Sequence, residues 1–352
     1  MKVFCTGATG FVGAHSALAL LAAGHELRLL VRDEGAARAW FDARGRHISC
    51  CVTASLGDTG ALTRAMAGCD AVLHAAATVS VDPRRAREMY DTNVGGTTAV
   101  LCAACEAGIR NLVYVSSVMV FFHPGAPRVD EDTPLADVCD PYARSKRDSE
   151  VVARGFQRRG TPLQITYPTA VIGPDDPKLS AANRALPTFV GKALPRSTTG
   201  FQCVDVRDLA AAHVWLLEHP LAADFEDARY IVGGHFLPWD DLRRHLEAVL
   251  GRRLFSPRVP ARVLRAVGVA ADAVKTLVPF DTQISAEAMA INTQWPPADS
   301  SRFYATSGLR FRCPDDTFTD TIRWMVEAGH LPRKKAGRLA DKVASIERHS
   351  AP

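Results

Sequence analysis

The run Thr6-Gly7-Ala8-Thr9-Gly10-Phe11-Val12-Gly13 separates a short apolar segment, residues 2–6, from an alanine- and leucine-rich one, residues 11–23. The first reads as a buried strand and the second as a helix that stops at Gly24, where a left-handed C-cap is cheap. A glycine turn between strand and helix brings backbone N–H groups and the helix dipole against a pyrophosphate. Side chains at Gly7 or Gly10 would hold the phosphates off, and Gly13 lets the helix pack close to the sheet. Three glycines alone say little, but in this strand–turn–helix context they predict a dinucleotide site.

Outward from that turn the pattern repeats. Residues 26–31, 71–76, 111–116 and 162–167 read as strands, rich in Val, Leu and Ile, as strands covered on both faces must be. Residues 93–106 read as a helix ending at Gly108. This alternation predicts an α/β fold, a doubly wound parallel (Rossmann) sheet, followed by a smaller, mainly helical C-terminal substrate lobe. The dinucleotide-binding domain is expected over residues 1–167 and 200–232, the lobe over 168–199 and 233–331, and a charged tail over 332–352. A β–α unit at 202–218 reads as a return to the first domain, and 239–250 and 316–328 read as amphipathic helices. Residues 259–277 are apolar with Arg262, Arg265 and Lys275; a helix pair within the lobe is preferred there over membrane contact.

The second strand ends Leu29-Leu30-Val31-Arg32-Asp33. NAD enzymes of this fold place a carboxylate at the strand end, on the ribose 2′-hydroxyl. Here that slot falls on Val31, with Arg32 next. A guanidinium pairs with a 2′-phosphate, so NADP(H) is expected over NAD(H), with Asp33 as the opposing detail.

Tyr142-Ala143-Arg144-Ser145-Lys146 opens a helix expected over 142–159 and puts Tyr142 and Lys146 on one face. A nearby ammonium and an oxidised nicotinamide favour phenolate, so Tyr142 can act as acid/base while Lys146 holds the nicotinamide ribose. Ser116-Ser117 closes the preceding strand, at the end where parallel sheets bind ligands. Ser117 is taken as the group that hydrogen-bonds the substrate oxygen, and Ser116 as structural.

The bulk composition narrows the class. The chain has 352 residues, 47% hydrophobic and 23% charged, with a net charge of +4 spread along it. That balance gives little support to nucleic-acid binding. No secretory leader is expected, because residues 1–6 already read as a strand, and the longest apolar stretch, 17–23, is too short to span a bilayer. Nine cysteines without a secreted spacing fit a reducing cytoplasm, and Cys102 and Cys105 read as buried thiols. The eleven histidines are scattered without metal-ligand spacing.

Taken together, the glycine turn, Ser117, Tyr142 and Lys146 resemble the extended short-chain dehydrogenase/reductase family, within the NAD(P)-dependent epimerase/dehydratase superfamily. The resemblance covers most of residues 1–330. It implies that Ala75-Ala76-Ala77 floors the cofactor and that Asn93 is the helix-start asparagine steadying the central strands. It also implies that Pro168 and Val171 line the nicotinamide side. Ser55, followed by Leu56, stands where the family often has an adenine-contacting aspartate, and Asp58 reads as the cap of the next helix. Sugar-nucleotide epimerases usually carry an Arg and an Asn where Tyr167 and Ala170 stand here. The chain therefore looks more like the dihydroflavonol-reductase-like and hydroxysteroid-dehydrogenase-like reductases. The resemblance implies a small-molecule substrate and a homodimer through two helices of the first domain.

The pocket is expected beside Val79-Ser80-Val81, with Val118, Met119, Phe121, Phe122 and Phe189 as wall candidates and His123 as a loop residue. An apolar aldehyde, ketone or secondary alcohol suits such walls. The leading reading is an NADPH-dependent carbonyl reductase. An epimerase or dehydratase with retained cofactor, and a non-catalytic NADP sensor, are the rivals.

Overall fold

A computed structural model describes residues 1–80, 83–138, 140–277 and 284–340. Val81, the side chain of Lys275 and the tail from residue 341 lie outside the described residues. The glycine turn joins β1 (Lys2–Thr6) to α1 (Phe11–Ala22). Then follow β2 (Glu26–Val31), α2 (Glu34–Asp42), β3 (Cys50–Thr53), α3 (Thr59–Met66) and β4 (Ala71–His74). A helical segment carries α4 (Ala86–Tyr90), a π-turn at Asp91–Gly95 and α5 (Gly96–Glu106). Next come β5 (Leu112–Val115), α6 (Pro141–Arg158) and β6 (Leu163–Pro168).

The strands form a seven-stranded sheet in the order β3-β2-β1-β4-β5-β6-β9, where β9 is Arg229–Val232. Every pairing in it is parallel. One apolar layer packs α3, α5 and α6 on one face, and a second packs α1 and α8 (Val206–Glu218) on the other. This three-layer arrangement explains why the strands are apolar on both sides. It also turns the C-terminal ends of β1, β4, β5 and β6 toward one edge.

The second lobe departs from the expected return at 202–218. Only the helix returns: α8 packs on α1. Strand β8 (Gly200–Asp205) instead forms a small sheet, with parallel β7 (Ala170–Ile172) and antiparallel β10 (His235–Pro238). Glycine is the cause. Gly234 sits at φ +62°, and a Cβ there would lie 2.1 Å from the Cys203 carbonyl oxygen. The Gly233-Gly234 pair therefore folds β10 back onto β8 instead of extending β9. The lobe is completed by α7 (Ala181–Gly191), α9 (Trp239–Leu250), α10 (Ala261–Leu277), α11 (Ala286–Gln294), α12 (Ser301–Ser307) and α13 (Pro314–Glu327). Its own core joins α7, α9 and α13.

Candidate active site

The glycine turn is built so that no side chain fills it. Gly7 has φ +76°, and a Cβ on it would stand 2.6 Å from the Ala75–Ala76 backbone at the end of β4. A Cβ on Gly13 would stand 2.3 Å from the Gly7 carbonyl oxygen. Gly13 is thus required by the turn itself, not by helix-to-sheet packing as the sequence suggests. Gly10 caps α1 with no side-chain hydrogen bond and no acidic residue follows in the first turn, so the helix N-terminus is left for an anion. Thr9 and Val12 are half-buried along it and Phe11 is buried. These features fit a dinucleotide pyrophosphate.

Around the cradle the expected residues separate by role. Arg32 is exposed just past the end of β2, and its charge helps hold the Glu88 carboxyl below its ordinary range, after the Arg85 hydrogen bond. Asp33 caps α2 by accepting from the Ala36 N–H at 2.9 Å. Ser55 is exposed and closes a turn by accepting from Gly57 N–H at 3.2 Å. Leu56 would meet a Cβ on Gly96 at 3.3 Å, and Asp58 caps α3 as expected. Ala75 and Ala76 are half-buried and Ala77 exposed beyond β4. Pro168 closes β6 and Val171 lies half-buried on β7.

Asn93 is a correction. It sits inside the π-turn, buried, ahead of the first residue of α5. Its oxygen accepts from Thr78 N–H at 2.8 Å, and its amide donates to the Thr78 carbonyl at 3.0 Å and to Ser145 Oγ at 2.9 Å. It clamps the loop after β4 to the helix bearing Tyr142 and Lys146, rather than steadying the strands.

The catalytic candidates do converge. Asp140 caps α6 through the Ala143 N–H, with Pro141 in the first turn. Tyr142 follows, half-buried and set beside Ser117 beyond the end of β5. One turn on, buried Lys146 donates to the Val115 carbonyl at 3.0 Å and to Tyr114 Oη at 3.4 Å. Ser116, expected to be structural, donates to buried Glu150 at 2.8 Å.

The electrostatics differ from the sequence expectation. Burial raises the Tyr142 pKa, and the Ser117 hydroxyl opposes that rise. The Lys146 ammonium is engaged by the end of β5, and burial lowers its own pKa to about 8, against the pull of Glu150. The protein surroundings therefore favour Tyr142 as a protonated phenol, a proton donor.

A buried chain of polar contacts that the sequence did not disclose ties Lys146 to the glycine turn. Tyr114 stacks on His74 with ring centroids 5.5 Å apart, Thr97 Oγ1 lies 3.1 Å from His74 Nε2, and His74 Nδ1 lies 2.7 Å from Thr6 Oγ1. Thr6 in turn accepts from the Ala76 N–H at 3.2 Å. Burial, with the Lys146 charge added, lowers the His74 pKa to about 3, so this histidine is neutral. The only signal in the sequence was a handful of polar residues inside otherwise apolar strands.

Several pocket candidates are not brought to the site. Val118 and Phe121 are buried in the core, where Phe121 packs edge-on to Tyr167. Tyr167 is wholly buried and donates to Glu150 at 2.5 Å. Tyr167 therefore faces the underside of α6, and its identity says nothing about a sugar nucleotide. Met119 and Phe122 remain half-buried, with Phe122 stacked on Trp295. Phe189 packs with Phe201 and Trp239 inside the lobe. His123 bonds the Pro134 carbonyl at 2.9 Å, as a loop residue. Cys102 is half-buried and Cys105 exposed, so the expected buried thiol pair is not formed.

Comparison with known proteins agrees with this geometry. A Synechocystis protein provisionally named dihydroflavonol 4-reductase is 29% identical over 334 residues, covering 93% of this chain and 95% of that protein. Cinnamoyl-CoA reductase 1 of Oryza sativa is 30% identical over 280 residues, covering 74% of this chain and 77% of that protein. The dTDP-glucose 4,6-dehydratase DesIV from Streptomyces venezuelae, solved with NAD bound, superposes with a TM-score of 0.69 at 25% identity, covering 94% of this chain and 99% of DesIV. The model of the NAD dependent epimerase/dehydratase family matches residues 3–233. With its glycine cradle, Ser117, Tyr142 and Lys146 in place, the chain belongs to that family, the extended short-chain dehydrogenases/reductases, and is an NAD(P)-dependent oxidoreductase.

Proposed function

We propose that this chain is an NADPH-dependent carbonyl reductase, or in reverse an alcohol dehydrogenase, for an apolar aldehyde, ketone or secondary alcohol. The observation that carries the reading is the placement of Tyr142 beside Ser117 at the end of β5, with Lys146 fixed one helical turn below by the Val115 carbonyl. The bound nicotinamide supplies or accepts the hydride. Ser117 orients the carbonyl oxygen, and Tyr142 gives it a proton as charge develops there. Lys146, held in place by Val115 and Tyr114, would hold the nicotinamide ribose.

NADP(H) is favoured because Arg32 is exposed just past β2, whereas Asp33 is committed to its helix cap. The eight described cysteines are all free, which suits a cytoplasmic enzyme. No described helix is long and apolar enough to cross a membrane. A homodimer through two helices of the first domain accords with the family resemblance.

The test follows NADPH absorbance over a panel of aldehydes, aryl ketones, steroids and sugar nucleotides. Turnover on an apolar carbonyl supports the reading. Conversion of a sugar nucleotide with retained cofactor and no net NADPH loss would replace it with an epimerase or dehydratase. Arg32→Ala should lower kcat/KM for NADPH by about tenfold, the loss of one charge-assisted pair, and leave NADH little changed. Equal effects on both cofactors would remove Arg32 from phosphate recognition.

A further inference from the structure

Helix α10 packs inward on α11. A Cβ on Gly268 would lie 2.5 Å from the Ser285 carbonyl oxygen, so the two backbones touch there. Asp272 accepts from the Ala286 N–H at 2.8 Å, and Arg265 reaches Thr293 Oγ1 at 3.4 Å. The opposite side of α10 is apolar and open. Val263, Val267 and Val274 are 45%, 46% and 47% exposed, and Val269 reaches 61%. Ala266, Ala270 and Ala273 are exposed between them. At 100° per residue these positions form one continuous arc, with Arg262 inside it between Val269 and Ala273 and Arg265 just beyond its edge. Phe255, on the segment leading into the helix, is 71% exposed.

Charge identifies what this surface suits. Residues 251–274 carry Arg252, Arg253, Arg258, Arg262 and Arg265 against one carboxylate, Asp272, and that carboxylate faces inward to α11. Arg253 and Arg262 are exposed, as is Arg258, whose guanidinium also reaches Asp240 at 3.4 Å. An apolar stripe bordered by arginines is the pattern of a helix lying in the plane of a membrane interface. A two-fold contact with a second copy would set these arginines against their own counterparts, which disfavours self-association. We infer that the outer face of α10 docks the protein on an anionic lipid surface, with the valines in the acyl boundary and the arginines at the headgroups.

The experiment uses the purified full chain and reads sedimentation with vesicles, not turnover, so its outcome is independent of the carbonyl-reductase reading. Vesicles are phosphatidylcholine alone, or phosphatidylcholine with phosphatidylglycerol at a three-to-one ratio. The chain should bind the mixed vesicles, bind phosphatidylcholine alone more weakly, and be released by salt. The double variant Val263→Asp/Val267→Asp should lower the partition by about tenfold or more. Arg258→Glu/Arg262→Glu should lower it by roughly fivefold per charge or more. If the aspartate variant does not fold, as judged by circular dichroism, Val263→Ser/Val267→Ser takes its place. No binding to mixed vesicles would overturn the inference, as would valine and arginine variants that bind as tightly as wild type. So would a valine variant that binds vesicles normally but changes the oligomer seen by sedimentation velocity, because the face would then belong to a second copy.

Discussion

Helices α6 and α10 are 18 and 17 residues long and invert one another. Helix α6 turns Ser145, Lys146, Ser149, Glu150 and Gln157 into the protein, whereas α10 turns valines out to water. Burying polar groups is tolerable only where each finds a partner, and on α6 they do. Lys146 meets the end of β5, Glu150 takes Ser116, Tyr167 and Arg154, and Gln157 donates to the Leu163 carbonyl. Helix α10 has no comparable internal account for its exposed arc. The difference teaches that departures from the usual polarity mark function in both directions: inward polarity marks a built site, and outward apolarity marks a surface suited to a non-aqueous neighbour.

Substitutions on the two helices should therefore differ sharply. The largest effect is expected at Tyr142→Phe, which removes only the proton donor. Turnover should fall by roughly a thousandfold, while NADPH binding, followed by fluorescence titration, persists. Turnover within a few-fold of wild type would take the phenol out of the mechanism and leave α6 a structural helix.

Glu150→Ala comes next. It strands Arg154 and Tyr167 without their buried acceptor and should cost about 3–5 kcal/mol in urea unfolding. A loss below about 1 kcal/mol would mean that the inward polarity of α6 is not held by this network.

A third test lies where the two helices are linked. Glu287 on α11 lies near Asp140 at the cap of α6, and burial, followed by the Asp140 carboxylate, raises its pKa from 4.5 to about 7. The folded chain therefore binds this proton more tightly than the unfolded chain. The stabilisation is complete below about 4.5 and lost as pH rises through about 7. Urea midpoints of wild type should fall from pH 5 to pH 8 more than those of Glu287→Gln; parallel profiles would contradict the raised pKa.

The smallest effect is expected at Val267→Ser on the outer arc of α10, within about 0.5 kcal/mol of wild type in urea. A cost above about 2 kcal/mol would show that the arc is covered in solution.

The parts of the fold that rest on local signals were legible in the sequence. The strands at 2–6 and 26–31 are those observed, and helix 142–159 is shifted by one residue. Asp58 caps its helix as read. The placement of Ser117 past the end of β5 and of Tyr142 and Lys146 one turn apart on α6 was also legible, because a strand end and an i, i+4 spacing are local features of the chain. The misreadings arose where a side chain had to choose between two faces. Tyr167 and Phe121 could as well have faced a pocket as the core, and they face the core. Strand β8 sits in the smaller sheet between β7 and β10, where Gly234 lets the backbone approach Cys203 closely, a contact that only the folded chain reveals.

By itself the sequence determined the conformations that a few neighbouring residues can enforce: a glycine turn too tight for side chains, strands apolar on both faces, a capped helix bearing Tyr142 and Lys146. The tertiary structure alone decided who meets whom. Thr6 and His74 are 68 residues apart, and Tyr114 and Lys146 are 32 apart. The state of Lys146, the neutrality of His74 and the exposure of α10 follow from such encounters. Proton affinity and solvent exposure depend on what surrounds a group in space, which spacing along the chain does not encode.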